Sequence, residues 1–288
     1  MTSPTTSAAS SSAVPSRPEP IVVGTAVAAT SRARRRALLD RAAPPLAFAA
    51  LLGLWEGACR GFAIPSFLLP APSAILAALV ATPPGVWAGH ALATLRVALM
   101  GYALAILVSV PLAVGITTSR FLARTLYPIL VVVQSTPIVA IAPILVVTLG
   151  ASDLPRVAIT FLITFFPILV SAVTGLQATP DALIELSRAL RAGRTREILH
   201  VRLPFAVPHL FAALRISTTL AIIGAVVGEF VAAEKGLGFF IAFATSNFRI
   251  PTAFAGLVVL VALSLALFRL VGWLQGRLAP WSLPRSQP

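Results

Sequence analysis

Long apolar stretches separated by short polar segments make up most of the chain from residue 44 onward. Six of them approach or exceed the roughly 20 apolar residues that an α-helix needs to cross a hydrocarbon core of about 30 Å. They are residues 44–62, 91–118, 126–149, 155–176, 209–232 and 252–274. Prolines lie inside several of these stretches, which transmembrane helices tolerate when their neighbours satisfy the freed backbone groups. The pattern predicts an all-α polytopic membrane protein of about six transmembrane helices, packed as a bundle.

The basic residues predict an orientation, because cytoplasmic loops of membrane proteins carry the excess of Lys and Arg. With the N-terminus inside, the outside segments hold only Arg156, Lys235 and Arg249. The inside segments hold fifteen: Arg17, Arg32, Arg34, Arg35, Arg36, Arg41, Arg120, Arg124, Arg188, Arg191, Arg194, Arg196, Arg202, Arg277 and Arg285. Both termini are therefore predicted to be cytoplasmic.

Three regions follow from this layout. Residues 1–43 begin with a Ser-, Thr-, Ala- and Pro-rich stretch that ends in an Arg cluster, which predicts a disordered basic tail and lacks the layout of a signal peptide. Residues 44–276 form the predicted membrane domain, and residues 277–288 form a short cytoplasmic tail. The longest connection inside the membrane domain spans about residues 177–208.

Composition narrows the function classes. The chain is 58% apolar and only 11% charged, so it lacks the polar surface of a soluble domain. Its net charge of +13 comes from cations between apolar spans, without the basic stripe that would indicate nucleic-acid binding. Cys59 is the single cysteine and the three histidines are scattered, so the sequence predicts no disulfide within the chain, no metal site and no cofactor.

The long cytoplasmic connection has the pattern of a short amphipathic helix. Thr179-Pro180-Asp181 is a plausible helix start, with Pro early and an acid in the first turn. Leu183, Leu186, Ala189 and Leu190 then repeat at helical spacing, opposite Glu185, Arg188 and Arg191. Such a helix either lies on the membrane surface or docks into a partner's groove, and periodicity does not choose between the two. A second apolar set follows before Pro204 and Pro208, which we expect to end the helix.

This connection resembles the EAA loop of bacterial ABC import permeases, written E-A-A-x3-G-x9-I-x-L-P. With the final Leu-Pro aligned on Leu203 and Pro204, the E-A-A positions are taken by Glu185, Leu186 and Ser187, the Gly position by Arg191 and the Ile position by Val201. Gly193 stands two residues beyond Arg191.

Other segments, in the same order, are similar to the nitrate/sulfonate/taurine type of these permeases. They are Ile64–Pro70 with Pro72-Ser73, Gln134–Pro137 through Ala142-Pro143, Phe165–Pro167 with Thr174–Leu176, Gly224–Phe230, and Gly236–Gly238. The Gly224–Phe230 stretch is most similar to permeases for thiamine-precursor pyrimidines or riboflavin, which is the substrate class that the resemblance favours.

The resemblance implies a division of labour. Two permease copies form the pore, two separate ABC ATPase subunits bind the coupling loops, and an external solute-binding protein delivers the solute. The coupling residues would be Glu185, Leu186, Ser187, Arg191, Gly193, Val201, Leu203 and Pro204. The chain has no P-loop motif, so ATP hydrolysis would belong to the partner and the chain itself would not be an enzyme.

Ionisable residues in the spans suggest where a solute passes, because they are costly in lipid. Glu56, Arg96 and Arg215 are most simply snorkelling or paired side chains. Glu229 is the better pathway candidate and would border an outward-facing vestibule that repels anions. The residues predicted for the translocation path are Glu229, Gly228, Gly224, Gln134 and Pro137.

Three other classes remain as alternatives. A secondary transporter would need no ATP, but its usual inverted repeat is not evident. An intramembrane enzyme would need a catalytic motif such as HExxH or GxSxG, which the sequence lacks. A scaffold protein is compatible with the apolar spans but would not account for the EAA-like loop.

Overall fold

The computed structural model describes residues 43–150 and 152–283, and these form helices and connecting turns without a strand. The predicted tail of residues 1–43 and the end of the C-terminal tail lie almost wholly outside the described residues. The described chain divides into two units: residues 43–54 belong to the first, and the second begins at Trp55. Every site discussed below lies in the second unit.

Ten helices follow one another along the described residues. They are α1 (residues 43–61), α2 (Pro72–Ala81), α3 (Pro84–Thr118), α4 (Arg120–Ser135), α5 (Ile138–Leu149), α6 (Asp153–Gln177), α7 (Asp181–Ala189), α8 (Arg194–Ala232), α9 (Leu237–Ser246) and α10 (Ile250–Leu278). A 3₁₀ turn, Pro280–Ser282, follows α10.

The all-α membrane fold predicted from the apolar pattern is confirmed. Among the described residues, α3, α6, α8 and α10 are each long and apolar enough to cross a membrane, and α4 with α5 would add a fifth span. Helix α1 coincides with the first predicted stretch, but the described residues do not bring the count of crossing helices to six. Helices α2 and α9 are apolar but shorter than a span.

The prediction of one helix over residues 126–149 is wrong, because the helix breaks at Thr136 and Pro137. Thr136 has an extended backbone (φ −79°, ψ 128°), which is what a following proline favours through contact with its ring. Helix α4 therefore ends at Ser135, α5 begins at Ile138, and the two helices are bent by 91°. The segment is a broken span or a re-entrant loop.

The expectation that Pro204 and Pro208 end a helix is also wrong. Helix α8 runs through both prolines, and the turn before them, Glu197–Arg202, is π-helical. In that turn the Leu203 N–H donates to the carbonyl of Ile198, five residues back. A proline in an α-helix clashes with the carbonyl four residues before it, and the wider π turn relieves this clash at Pro204.

Helices α3, α6 and α8 form the centre of the bundle, with α6 between the other two. Thr160 of α6 faces Gly101 of α3 on one side and Gly224 of α8 on the other. A Cβ atom at Gly101 would lie 2.5 Å from Thr160 Cβ, and one at Gly224 would lie 2.7 Å from Thr160 Cα. Small residues at both crossings allow the close backbone approach on which helix association in lipid depends.

Two hydrogen bonds between helices add to this packing. Ser109 of α3 donates from Oγ to the Phe165 carbonyl of α6, at 3.0 Å. Tyr102 of α3 donates from its hydroxyl to the Leu214 carbonyl of α8, also at 3.0 Å. Polar side chains inside an apolar bundle are retained when they have such partners, so α3 is bonded to both of its neighbours.

The close crossing of α8 and α6 at Gly224 predicts that Gly224→Ala destabilises the chain by about 1–3 kcal/mol, because the added methyl group would overlap the backbone of α6. Thermal unfolding of the purified chain in detergent measures the effect. Gly89→Ala is the matched control, since Gly89 lies in α3 with open space around it and should be neutral or slightly stabilising. Equal melting temperatures for the two variants would contradict the tight crossing.

Candidate functional site

Helix α7 confirms the short helix predicted in the long connection of residues 177–208. Pro180 precedes it and Asp181 occupies its first turn. Ile184 and Ser187 are buried against the rest of the chain. The predicted apolar residues Leu183, Leu186 and Leu190 are instead exposed. The helix therefore packs through one face and presents a row of leucines on another.

Arg191 occupies a special position at the end of α7. Its φ of 52° places it in the left-handed region, where glycine is most common. The Ala192 N–H donates to the Ser187 carbonyl at 3.0 Å, and the Arg191 N–H donates to the Arg188 carbonyl at 2.9 Å. These two bonds form a Schellman motif, whose left-handed residue is usually glycine. The geometry gives a physical reason for the Gly of the EAA pattern at the position that Arg191 fills.

A cluster of ion pairs joins α7 to the membrane helices. Arg202 Nη2 lies 2.7 Å from Glu197 Oε1, and both side chains are 13% exposed. Arg188 of α7 reaches the other oxygen of Glu197, with Nε 3.7 Å from Oε2. Arg202 Nη1 also donates to the Leu176 carbonyl near the end of α6, at 3.5 Å. The cluster thus connects α7, the π turn of α8 and the end of α6.

Sequence reasoning missed this cluster. Glu197 and Arg202 are five residues apart, a spacing that does not bring side chains together on an α-helix. The π turn has more residues per turn, so it brings the pair onto one side. The only signal in the sequence is an acidic and a basic residue in the short segment that directly precedes Leu203-Pro204.

The remaining residues of the predicted coupling set lie along the same connection. Glu185 is exposed on α7 and forms no ion pair among the described residues. Gly193 is in open space and precedes the first turn of α8. Val201 and Leu203 are half-buried, whereas Pro204 is exposed.

Glu229 lies in a different environment from the one predicted. Its side chain is 2% exposed, and its Oε2 accepts a hydrogen bond of 2.7 Å from the Gly238 N–H, in the first turn of α9. Gly236, which precedes α9, has a φ of 131°, and a Cβ atom there would overlap the Glu229 carboxylate. A carboxylate is favoured at a helix N-terminus by the exposed N–H groups and the helix dipole. Glu229 therefore caps α9.

Helix α3 completes this cap. Thr94 Oγ1 accepts from the Leu237 N–H at 2.8 Å, and His90 Nδ1 lies 3.2 Å from the Gly236 nitrogen, which donates to it. Because the Glu229 side chain is enclosed, it does not border an open vestibule in this structure, so it gives no reason to expect that anions are repelled here. A role for Glu229 in the translocation path stays a prediction.

The other residues predicted for the path are not gathered around Glu229. Gly224 and Gly228 face α6, where a Cβ atom at Gly228 would lie 2.9 Å from Arg156 Cγ. Gln134 and Pro137 lie at the break between α4 and α5, and Gln134 lines a mostly apolar cavity beside Phe165 and Phe166 of α6. The structure therefore divides the five residues into three groups: Glu229 at the start of α9, the two glycines against α6, and Gln134 with Pro137 at the break.

The other charges predicted within or at the ends of spans have local partners. Glu56 lies 2.6 Å from Arg60 and accepts from the Ser73 N–H at 2.9 Å. Arg96 pairs with Asp153, which also pairs with Arg156. Arg215 lies over the Phe268 ring at 5.9 Å. These contacts agree with a structural role for Glu56 and Arg96.

The left-handed backbone predicts that Arg191→Gly stabilises the chain by about 1 kcal/mol, because glycine adopts this conformation without a steric penalty. Thermal unfolding and hydrogen exchange at the end of α7 measure the change. Arg196→Gly is the matched control, since Arg196 is helical (φ −68°) and glycine there should destabilise by about 1 kcal/mol. If Arg191→Gly is no more stable than Arg196→Gly, Arg191 does not have the left-handed backbone described here.

Comparison with known proteins places this chain in a family. Residues 101–280 match the family described as "Binding-protein-dependent transport system inner membrane component". This stretch covers more than half of the chain and includes α7, the π turn and α9.

Named relatives cover most of the chain. The formylaminopyrimidine transport permease protein of Halalkalibacterium halodurans is 34% identical over 83% of this chain and 95% of its own length. The riboflavin transport system permease protein of Chloroflexus aurantiacus is 34% identical, over 82% and 89%. The taurine transport system permease protein of Escherichia coli is 28% identical, over 81% and 87%. The chain belongs to the binding-protein-dependent inner-membrane components, the permease subunits of ABC importers.

Proposed function

We propose that this chain forms the translocation path of an ATP-driven importer and that α7 is the surface on which a partner ATPase docks. The observation that carries the proposal is the row of exposed leucines on α7 and at its C-terminal cap. Leu183, Leu186 and Leu190 are uncovered while Ile184 and Ser187 hold the helix against the chain. An apolar helix face presented from a fixed position is the arrangement of helix-in-groove recognition.

Charge distribution supports a cytoplasmic position for this surface. The predicted inside segments hold fifteen basic residues against three outside, and five of the fifteen lie in the α7 connection. Both termini and the docking surface are then on the side where ATP is available. Hydrolysis belongs to the partner, so the chain acts as a transporter subunit and not as an enzyme.

The ion-pair cluster provides the route by which docking moves the membrane helices. Arg188 belongs to α7, Glu197 and Arg202 belong to the π turn, and Leu176 lies near the end of α6. The Glu197–Arg202 pair is nearly buried and resists separation, because an uncompensated charge would be left behind. The Arg188 side chain is 67% exposed, so its contact with Glu197 is weak and adds to the buried packing of Ile184 and Ser187. Packing and ion pairs together pass a displacement of α7 by the ATPase to α6 and α8 as a rigid-body motion.

The other partners follow from the same proposal. A second copy of the chain completes the pore, and a solute-binding protein delivers the solute to the outer face. The 34% identity to permeases named for formylaminopyrimidine and riboflavin supports a small heteroaromatic solute. The relative named for taurine is more distant at 28%, which leaves a sulfonate or nitrate importer as the second candidate.

The docking surface predicts that Leu186→Gln reduces the amount of ATPase that co-purifies with the tagged chain by roughly tenfold or more, since a buried Leu contributes about 1.5–3 kcal/mol. Quantitative mass spectrometry of gently extracted membranes measures the ratio. Leu154→Gln is the matched control, because Leu154 at the start of α6 is 58% exposed and Leu186 is 55% exposed. Glu185→Arg is expected to act in the same direction as Leu186→Gln.

Two results would contradict the docking proposal. One is normal ATPase association with Leu186→Gln. The other is recovery of no P-loop ATPase with the wild-type chain, together with solute uptake into vesicles that lack ATP. That second result would favour a secondary transporter.

The ion-pair cluster predicts that Glu197→Gln separates docking from transport. ATPase association should stay near the wild-type level, because Glu197 is not on the exposed leucine row. ATP-driven uptake should fall about tenfold while hydrolysis continues, since a lost charge-assisted bond is worth about 1.5–3 kcal/mol. Arg196→Gln, which removes an exposed charge from the same turn of chain, should leave both unchanged. Coupled uptake at the wild-type rate in Glu197→Gln would rule out the transmission role.

A further inference from the structure

The C-terminal part of α10 carries a row of cationic and aromatic side chains. Arg269, Trp273 and Arg277 are spaced four residues apart, so they share one face of the helix, and all three are exposed. The Arg277 guanidinium lies over the Trp273 ring, 5.1 Å from its centroid. The cation–π contact holds Arg277 next to the ring and directs its charge along this face.

Arg215 of α8 lies against the adjacent face of α10, where it contacts Phe268 and Gly272. Its Nη2 lies 2.9 Å from the position that a Cβ atom of Gly272 would occupy, so the missing side chain makes room for the guanidinium. Gly272 directly precedes Trp273 in α10. The Arg215 Nε is buried and has no hydrogen-bond partner among the described residues. Unsatisfied donors of this kind are costly unless a ligand or water meets them.

The charge of this surface is not balanced by the described protein. The ion pairs of the described residues involve Glu56, Asp153 and Glu197, and none includes Arg215, Arg269 or Arg277. Beyond Glu234 the sequence contains no Asp or Glu up to its last residue. The guanidinium groups of Arg215, Arg269 and Arg277 therefore have no acidic partner among the described residues, and a negative charge for them can come from outside the protein.

Depth in the membrane identifies the source of that charge. Trp273 is 56% exposed and Trp281 also lies on the surface, and exposed tryptophans at the end of an apolar helix mark the headgroup level. Arg269 lies one turn deeper, from where a long side chain reaches the interface by snorkelling. The cytoplasmic leaflet of a bacterial membrane presents anionic headgroups at this level.

We propose that Arg215, Arg269, Trp273 and Arg277 form an inner-leaflet site that binds the phosphate headgroup of an anionic phospholipid. This site rests on the orientation proposed above, in which the end of α10 is cytoplasmic. The apolar surface of α10 accommodates the acyl chains, and the guanidinium groups hold the phosphate oxygens. A phospholipid contacts both the apolar surface and the guanidinium groups, whereas a free anion would contact the guanidinium groups alone.

The test is native mass spectrometry of the full-length chain titrated with phosphatidylglycerol and, separately, with phosphatidylcholine at constant ionic strength. We expect wild-type chain to retain phosphatidylglycerol preferentially. Arg269→Gln combined with Arg277→Gln should weaken this binding roughly 20- to 30-fold, since each cation near an anionic headgroup contributes about 1 kcal/mol, or roughly fivefold. Excess inorganic phosphate should not displace the lipid.

Two matched double variants make the test specific. Arg120→Gln with Arg124→Gln removes two exposed cytoplasmic charges at the start of α4 and should leave lipid binding unchanged. Arg269→Lys with Arg277→Lys keeps the charge, guards against misfolding as the cause, and should retain most of the binding. Equal retention of the two lipids by wild-type chain, displacement by phosphate, or equal loss in the Lys and Gln pairs would overturn the site. The readout needs no ATPase, so it is independent of the docking proposal.

Discussion

The close contact of Thr160 with Gly101 and Gly224 is the constraint on which the rest of the structure depends. In lipid the hydrophobic effect does not drive helices together, so their association relies on close packing and on hydrogen bonds between them. At Thr160, α6 comes into close contact with α3 through Gly101 and with α8 through Gly224. Because α3 and α8 meet α6 at this level, the directions of all three helices at their two ends are set here.

Helices α6 and α8 extend from this central contact toward the two proposed faces of the membrane. At one end, the Leu176 carbonyl of α6 and the π turn of α8 meet in the ion-pair cluster with Arg188. At the other end, Glu229 of α8 caps α9 together with side chains of α3. Under the proposed docking of an ATPase on α7, these two helices are the route by which a motion of α7 would reach the N-terminus of α9.

At three positions, Pro204, Pro137 and Arg191, the backbone differs from what local sequence rules predict. Proline was expected to end the helix at Pro204, but the π turn before it removed the steric cause, so the helix continued. Proline was expected only to kink the third stretch, but Pro137 with an extended Thr136 broke it completely. Arg191 departs from the glycine that its left-handed backbone favours, and the two bonds of the Schellman motif hold it in place. A backbone hydrogen-bond pattern decided the outcome at Pro204 and at Arg191, and the ring of Pro137 decided it at Thr136.

The sequence by itself determined the membrane class, the helical fold, the position of α7 and the family, because apolar length, charge bias and motif spacing are properties of the chain read in order. Tertiary structure alone decided which face of α7 stays exposed, which helix Glu229 caps and how Glu197 meets Arg202 and Arg188. It also placed Arg215 of α8 against Phe268 and Gly272 of α10. These outcomes depend on contacts between residues far apart in sequence and on a π turn, and neither leaves a periodic signal in the chain.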